Sequence, residues 1–208
     1  MKTEIIPVIH MLTHNQVIQN IDLCVRCGIK KVFLINHGLA TNELLKTADI
    51  VKSTYKDLWV GVNMLGKTTE EALATDLELD GLWCDATISS TNAKLVRQFK
   101  GLFFGGLAFK YQPQPIDLQA ACIDARLATD VATTSGTGTG KPASVKKITD
   151  LRTMLVDHPL AIASGVSIEN IETYKGIVNY LLVASSITDC NEMIVEAKLI
   201  ELKKKLDE

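Results

Sequence analysis

Apolar runs that close on polar or small residues recur eight times along this chain, and each is followed by a stretch patterned for a helix. The runs lie at 5–11, 32–38, 58–65, 81–86, 102–109, 131–134, from Pro159 to the Ser164-Gly165 pair, and at 178–184. They are continuous rather than alternating, as in strands buried on both faces. Between them the apolar residues return at the helical period, as in Val17, Ile18, Ile21, Cys24 and Val25. Thr13, Thr41 and Thr68 or Thr69 stand where helix caps belong, with Glu70 and Glu71 in a first turn that favours acids. A fourth helix is predicted over about 91–99. A fifth carries Leu118, Ala121, Cys122 and Ala125 on one face, and a sixth Val145, Ile148, Leu151 and Leu155. Ser167 opens a seventh, with Asn170 in the position of a capping-box partner, and Gly176 ends it. The last helix runs into Lys203-Lys204-Lys205.

Strand–helix alternation predicts an α/β fold with a parallel sheet. Eight units of roughly 22–30 residues favour a closed (β/α)8 TIM barrel, compact at 208 residues. The competing fold is an open, doubly wound sheet. Against it, no Gly-x-Gly-x-x-Gly follows the first strand, and the best anion-binding turns come late in the chain. No linker or change of composition interrupts the pattern, so residues 1–208 are read as one domain. Gly105-Gly106 inside the fifth strand marks a bulge or a close backbone approach.

The charge balance, net −2, supplies no basic field for a nucleic-acid backbone. No apolar run nears the roughly 20 residues of a membrane span, and the first residues do not form a signal peptide. Five scattered cysteines fit a reduced, cytoplasmic protein better than a disulfide framework. Cys24 and Cys27 have no second pair, so a zinc site is not expected.

In a barrel, chemistry sits at the carboxyl ends of the strands. Polar residues collect there: His10, Asn36, His37, Asn63, Asp85, Lys110, Thr133, Thr134, Ser135, Ser164 and Ser185. Any one of them is tolerated at a strand end that meets solvent; the repeated placement is what points to an active site. Asp85, His10 and Lys110 are the catalytic candidates. A carboxylate here can act as general base, hold a sugar hydroxyl or a metal such as Mg²⁺, or simply pair with a lysine. Lys110 can pair with an anion or form a Schiff base, and His10 can move protons. Asn36, Asn63, Thr134 and Ser135 would bind and orient substrate. The glycine-rich segment 135–142 is not a Walker A loop, because Pro142 stands where Ser or Thr is required. It reads as a mobile lid or an anion-binding turn.

Two adjacent strand ends open into small-residue turns, Ser164-Gly165-Val166 and Ser185-Ser186. Free N–H groups at such turns bind phosphate, and barrels commonly place a phosphate after strands 7 and 8.

Val8-Ile9-His10-Met11, Gly61-Val62-Asn63-Met64-Leu65, the glycine-rich segment, Ala163-Ser164-Gly165-Val166-Ser167-Ile168-Glu169-Asn170 and Val183-Ala184-Ser185-Ser186-Ile187 together resemble BtpA/SgcQ-type proteins. The resemblance spans nearly the whole chain. It implies a (βα)8 barrel similar to the ribulose-phosphate-binding barrels, with a phosphate site. The function expected is an enzyme acting on a small phosphorylated substrate, a phosphosugar or phosphoribosyl compound, as isomerase, lyase or phosphoribosyltransferase. The alternative is a non-catalytic assembly factor or ligand-sensing regulator of the same fold. The expected partners are a small phosphorylated molecule and a second copy of the chain, with no nucleic acid and no membrane.

Overall fold

The computed structural model describes residues 2–37, 39–75 and 77–208; Gly38, the last residue of the second predicted run, lies outside them. Eight parallel strands close into a barrel in strict chain order. They are β1 (Glu4–His10), β2 (Lys31–Ile35), β3 (Trp59–Asn63), β4 (Gly81–Thr87), β5 (Leu102–Gly106), β6 (Val131–Thr134), β7 (Leu160–Ala163) and β8 (Tyr180–Val183). Helices α1 (His14–Arg26), α2 (Thr41–Thr54), α3 (Thr69–Leu73), α4 (Ala93–Gln98), α5 (Leu118–Ala128), α6 (Val145–Leu155) and α7 (Glu196–Asp207) surround it in one compact domain.

Two apolar layers hold the fold. Successive strand residues face opposite sides of a sheet, so each strand fills both. Ile6, Val8, Phe33, Ile35, Trp83, Phe104, Val131, Ala161, Ala163 and Leu182 fill the lumen. The alternate residues, such as Ile9, Leu34, Val60, Val62, Leu82, Phe103 and Leu181, pack under helix residues such as Val17, Ile21, Leu44, Ile148 and Leu199. Phe33 meets Trp59, Trp83 and Phe104 edge to face. This aromatic plug needs two strand glycines. A Cβ on Gly61 would lie 2.4 Å from Phe33 Cε1, and one on Gly81 only 2.2 Å from Trp59 Cη2.

The helix starts follow from local chemistry. Thr13 accepts from Gln16 N–H, and Thr68 and Glu71 form a complete capping box. Thr41 does not cap: Ala40 holds the N-cap position, and its carbonyl receives the first helical bonds. Val145 is 48% exposed at the start of α6, and burial begins with Ile148. The fourth predicted helix is a 3₁₀ turn at Ser90–Asn92 followed by α4.

The largest departure concerns β7 and β8. No α-helix lies between them; the crossover holds only a 3₁₀ turn, Ile171–Thr173. Asn170 does take the capping-box position at Ser167, but a single 3₁₀ turn follows it. Its Oδ1 accepts from Ser167 N–H (2.9 Å) while its Nδ2 donates to the Gly165 carbonyl (2.7 Å). One side chain thus closes the turn from both sides, and the Ser167 hydroxyl bonds Glu169 instead of a helix N–H. Tyr174 then buries its ring and donates to the Ala143 carbonyl (2.6 Å).

β5 is also shorter than the apolar run 102–109. β5 stops at Gly106, and the left-handed Ala108 (φ 46°) and Tyr111 (φ 62°) fold the following residues back over the lumen. The paired glycines do mark a close approach. A Cβ on Gly105 would lie 2.5 Å from Thr129 Cγ2, and one on Gly106 2.5 Å from the Asp85 carbonyl oxygen. The β4–β5 register shifts at the same place, between Cys84 and Thr87. No described helix is long and apolar enough to cross a membrane.

Candidate active site

The carboxyl ends of the strands surround a cavity of about 680 Å³. Its floor is the top of the lumen core: Val8, Ile35, Trp83, Phe109 and Leu182. Its rim carries His10, His37, Asp85, Lys110, Ser164, Gly165, Ser185 and Ser186.

Asp85 lies in the β4 bulge, which Gly106 accommodates. Two residues on from the lumen-facing Trp83, Asp85 falls on the same side of the strand and lines the cavity. Asn63, fully buried on β3, donates to Asp85 Oδ1 (3.1 Å). Burial pushes the Asp85 carboxyl up; the Asn63 hydrogen bond and the Lys110 charge pull it partly back. The indole N–H of Trp83, two residues earlier, adds a weaker pull without an aligned hydrogen bond. Lys110 responds inversely: burial lowers its ammonium, and Asp85 partly restores it. Each group is therefore less firmly charged than on an open surface, a property useful for proton transfer near neutral pH.

Lys110 is held from several directions. Its backbone N–H donates to Ser135 Oγ (2.8 Å) and its Nζ to Thr139 Oγ1 (3.3 Å). Lys147, on α6, donates to the carbonyls of Ala108 and Ser135, both at 2.7 Å. One ammonium thus ties the strand-5 and strand-6 loops together, and its burial lowers its pKa to about 8.

Across the cavity, His10 stacks on His37 with ring centroids 4.3 Å apart. Burial, and then His10, lower the His37 imidazole. The Glu192 carboxylate lies 3.1 Å from His10 Nδ1, though off the N–H direction.

The glycine-rich segment folds onto the β7 turn. Gly140 N–H donates to Ser164 Oγ (3.0 Å), and that hydroxyl donates to the Gly138 carbonyl (3.2 Å). Ser164 and Gly165 are both left-handed, at φ 84° and 73°. A Cβ on Gly165 would lie 2.3 Å from the Lys141 carbonyl carbon, so only glycine fits. The N–H groups of Gly165, Val166, Ser185 and Ser186 donate to no described residue. The Ser186 hydroxyl oxygen is buried with no partner among the described residues. No helix N-terminus backs either turn. β7 leads into the 3₁₀ turn, and β8 into a loop pinned by a Thr188–Ile194 bridge before α7 begins.

Of the residues singled out in the sequence, His10, Asp85, Lys110, Ser164, Gly165, Val166, Ser185 and Ser186 line one cavity. The orienting candidates sit elsewhere. Asn36 donates to the Leu39 carbonyl and accepts from Leu65 N–H, fastening the β2 and β3 loops. Thr134 is fully buried with its hydroxyl 3.5 Å from the Ala108 carbonyl, and Ser135 braces Lys110. Asn63 acts through Asp85. Glu192 was not singled out, because nothing in its local sequence sets it apart. Among the described residues, no group of three or more His, Cys, Asp or Glu side chains is placed to hold a metal ion.

No protein-family model matches the chain, and no curated protein matches it. Solved structures do. A phosphoribosyl anthranilate isomerase from Thermus thermophilus superimposes with a TM-score of 0.68 at 13% identity, over 99% of this chain and 98% of that one. A native KDPGal structure gives 0.74 at 11%, over 100% and 96%. A 2-keto-3-deoxy-6-phospho-gluconate aldolase from Zymomonas mobilis gives 0.67 at 12%, over 98% and 92%. At these identities the likeness extends to architecture alone: this chain is a (βα)8 barrel of the shape those structures share.

Proposed function

We propose that this barrel is an enzyme acting on a small phosphorylated substrate, a phosphosugar or phosphoribosyl compound. The phosphate would sit between the β7 and β8 turns, on the N–H groups of Gly165, Val166, Ser185 and Ser186 and on the Ser186 hydroxyl. Asp85, Lys110 and His10 would face the reacting end. The observation that carries this reading is the pairing, in one cavity, of unpartnered donors in the β7 and β8 turns with the acid–base groups of Asp85, on β4, and Lys110, after β5. Isomerisation, carbon–carbon lysis and phosphoribosyl transfer all suit that layout. In each, a remote phosphate positions the reacting end.

Two further considerations agree. The resemblance to BtpA/SgcQ-type proteins implies a phosphate-binding barrel. The isomerase and the aldolase named above carry phosphorylated compounds in their names. The five free cysteines accord with a cytoplasmic setting.

The test is a thermal-denaturation panel of inorganic phosphate, ribose 5-phosphate, phosphoribosyl pyrophosphate and phosphosugars, each with and without Mg²⁺. A ligand at 100 times its Kd stabilises by about 2.7 kcal/mol, or roughly 5–10 °C at this size. Gly165→Asp is a poor probe of the site, because any side chain there collides with Lys141 and Pro142. Ser186→Asp places a carboxylate beside the proposed phosphate at a position that already carries a side chain. It should abolish the shift. Absence of a shift from every phosphate compound, or a shift untouched by Ser186→Asp, overturns the reading.

A further inference from the structure

The loop from β8 to α7 is built to present one side chain. Asp189 Oδ1 accepts from the N–H groups of Asn191 (2.8 Å) and Met193 (2.9 Å), and Thr188 pairs with Ile194. Between them Glu192 is left-handed, at φ 57°. A residue with a Cβ holds that conformation only when its surroundings enforce it. Two buried amides of α1 do so. Gln16 Nε2 and Asn20 Nδ2 both donate to the Glu192 carbonyl at 2.9 Å, and Asn20 Oδ1 accepts from Ile194 N–H at 2.8 Å. Gln16 Nε2 also donates to the His10 carbonyl (3.1 Å). One amide therefore grips the backbone of both residues.

The result is the Glu192 carboxylate 3.1 Å from His10 Nδ1, a ring nitrogen sealed from solvent. The second ring nitrogen, Nε2, is left for the cavity that His10 lines. Stacking on His37 holds the ring plane.

We propose that Glu192 is a positioning residue: it fixes the proton of neutral His10 on Nδ1 and so makes Nε2 the base that faces a bound ligand. A carboxylate on one imidazole nitrogen decides which tautomer the other presents. In the step this allows, a proton leaves an acidic C–H or O–H of the ligand for Nε2, and the ligand keeps the electron pair. The resulting imidazolium is matched by the Glu192 carboxylate. The present contact is poorly aligned, as catalytic hydrogen bonds often are before substrate binds. The ligand half of this proposal rests on the reading of the cavity given above; the tautomer half does not.

A purely structural role is separable, because the loop is anchored through the Glu192 carbonyl and not through its side chain. The test is ¹⁵N NMR of histidine-labelled protein in alkaline solution, where imidazoles are neutral, with His10 assigned by His10→Asn. Wild type should show His10 mainly as the Nδ1–H form. Glu192→Ala should shift it toward Nε2–H, and Glu192→Gln, which keeps an acceptor, should not. An Nε2–H form in wild type, or an unchanged ratio in Glu192→Ala, overturns the proposal. The wild-type spectrum decides even where the variant fails to fold. With a substrate from the phosphate panel, Glu192→Ala should lower kcat by about 10²-fold or more and leave KM within about twofold. A panel without hits defeats the phosphate reading and leaves the tautomer result standing, so the two failures are distinguishable.

Discussion

The two ends of the lumen hold similar residue types in opposite conditions. At the amino-terminal end of the strands, Glu4 and Lys31 form an ion pair, and Lys31 lies 5.6 Å from the centre of the Tyr180 ring. Beneath the cavity Trp59, Phe33 and Phe104 interlock, and glycines at 61 and 81 make room for them. Charge there is matched and the lumen is packed with aromatic rings. At the carboxyl end, Asp85 and Lys110 are shifted toward their neutral forms by burial, and His10 faces a misaligned carboxylate. The hydroxyl of Ser186 and the indole N–H of Trp83 are buried there without aligned partners. Unmet polar groups cost stability, and a fold retains them where a ligand completes them. Under the proposed function, the difference separates a structural end from a chemical one.

The sharpest way to break this contrast is at the plug. Phe104→Ala should cost about 3–5 kcal/mol in urea denaturation, because its ring is fully buried among Phe33, Trp59 and Tyr180. A loss below 1 kcal/mol would mean the plug is not the stabilising end.

Asp85→Asn should behave oppositely. Activity on the phosphorylated substrate should fall about 10²–10⁴-fold, while stability at neutral pH holds or rises. The sign follows from linkage. The folded-state pKa of Asp85 is raised, so its favourable contribution is complete below the ordinary value of 3.8 and is lost as pH rises through the folded value. The amide removes that loss. A large drop in melting temperature would instead mark Asp85 as structural.

Lys147 offers a pH test between these extremes. Its folded pKa of about 8 is below the ordinary 10.5. Between those values the unfolded chain binds more protons, so this group makes stability rise with pH. Relative to Lys147→Met, wild type should gain stability from about pH 8 to pH 10.5; a flat difference would show that the ammonium is not held dry.

The smallest effect belongs to the half-exposed pair at the closed end. Glu4→Gln should cost about 1 kcal/mol or less and leave ligand binding untouched. Any loss of binding would mean the two ends are coupled through the lumen.

Much of this was legible in residue order. Continuous apolar runs marked the strands, and their polar last residues marked the rim, because a closed parallel barrel puts all its strand ends on one face. His10, Asp85, Lys110 and the two serine-bearing turns were found that way. Parity along β6 could have gone further: Val131 faces the lumen, so Thr133 shares its side and Thr134 does not. The missing helix between β7 and β8 was not legible. Asn170 makes the expected contact with Ser167 N–H and also holds the Gly165 carbonyl, yet only a 3₁₀ turn follows, and nothing in the local pattern marks so early a stop.

What the sequence determined alone was the architecture and which polar residues rim the cavity at the carboxyl ends of the strands. Both follow from periodicity, which is local. Tertiary structure decided the roles within the site, because those depend on residues distant in the chain. Asn63 of β3 hydrogen-bonds Asp85 of β4. An ammonium from α6 binds two loops. Glu192, almost the whole chain away from His10, reaches it only because α1 and the β8–α7 loop meet where the barrel closes.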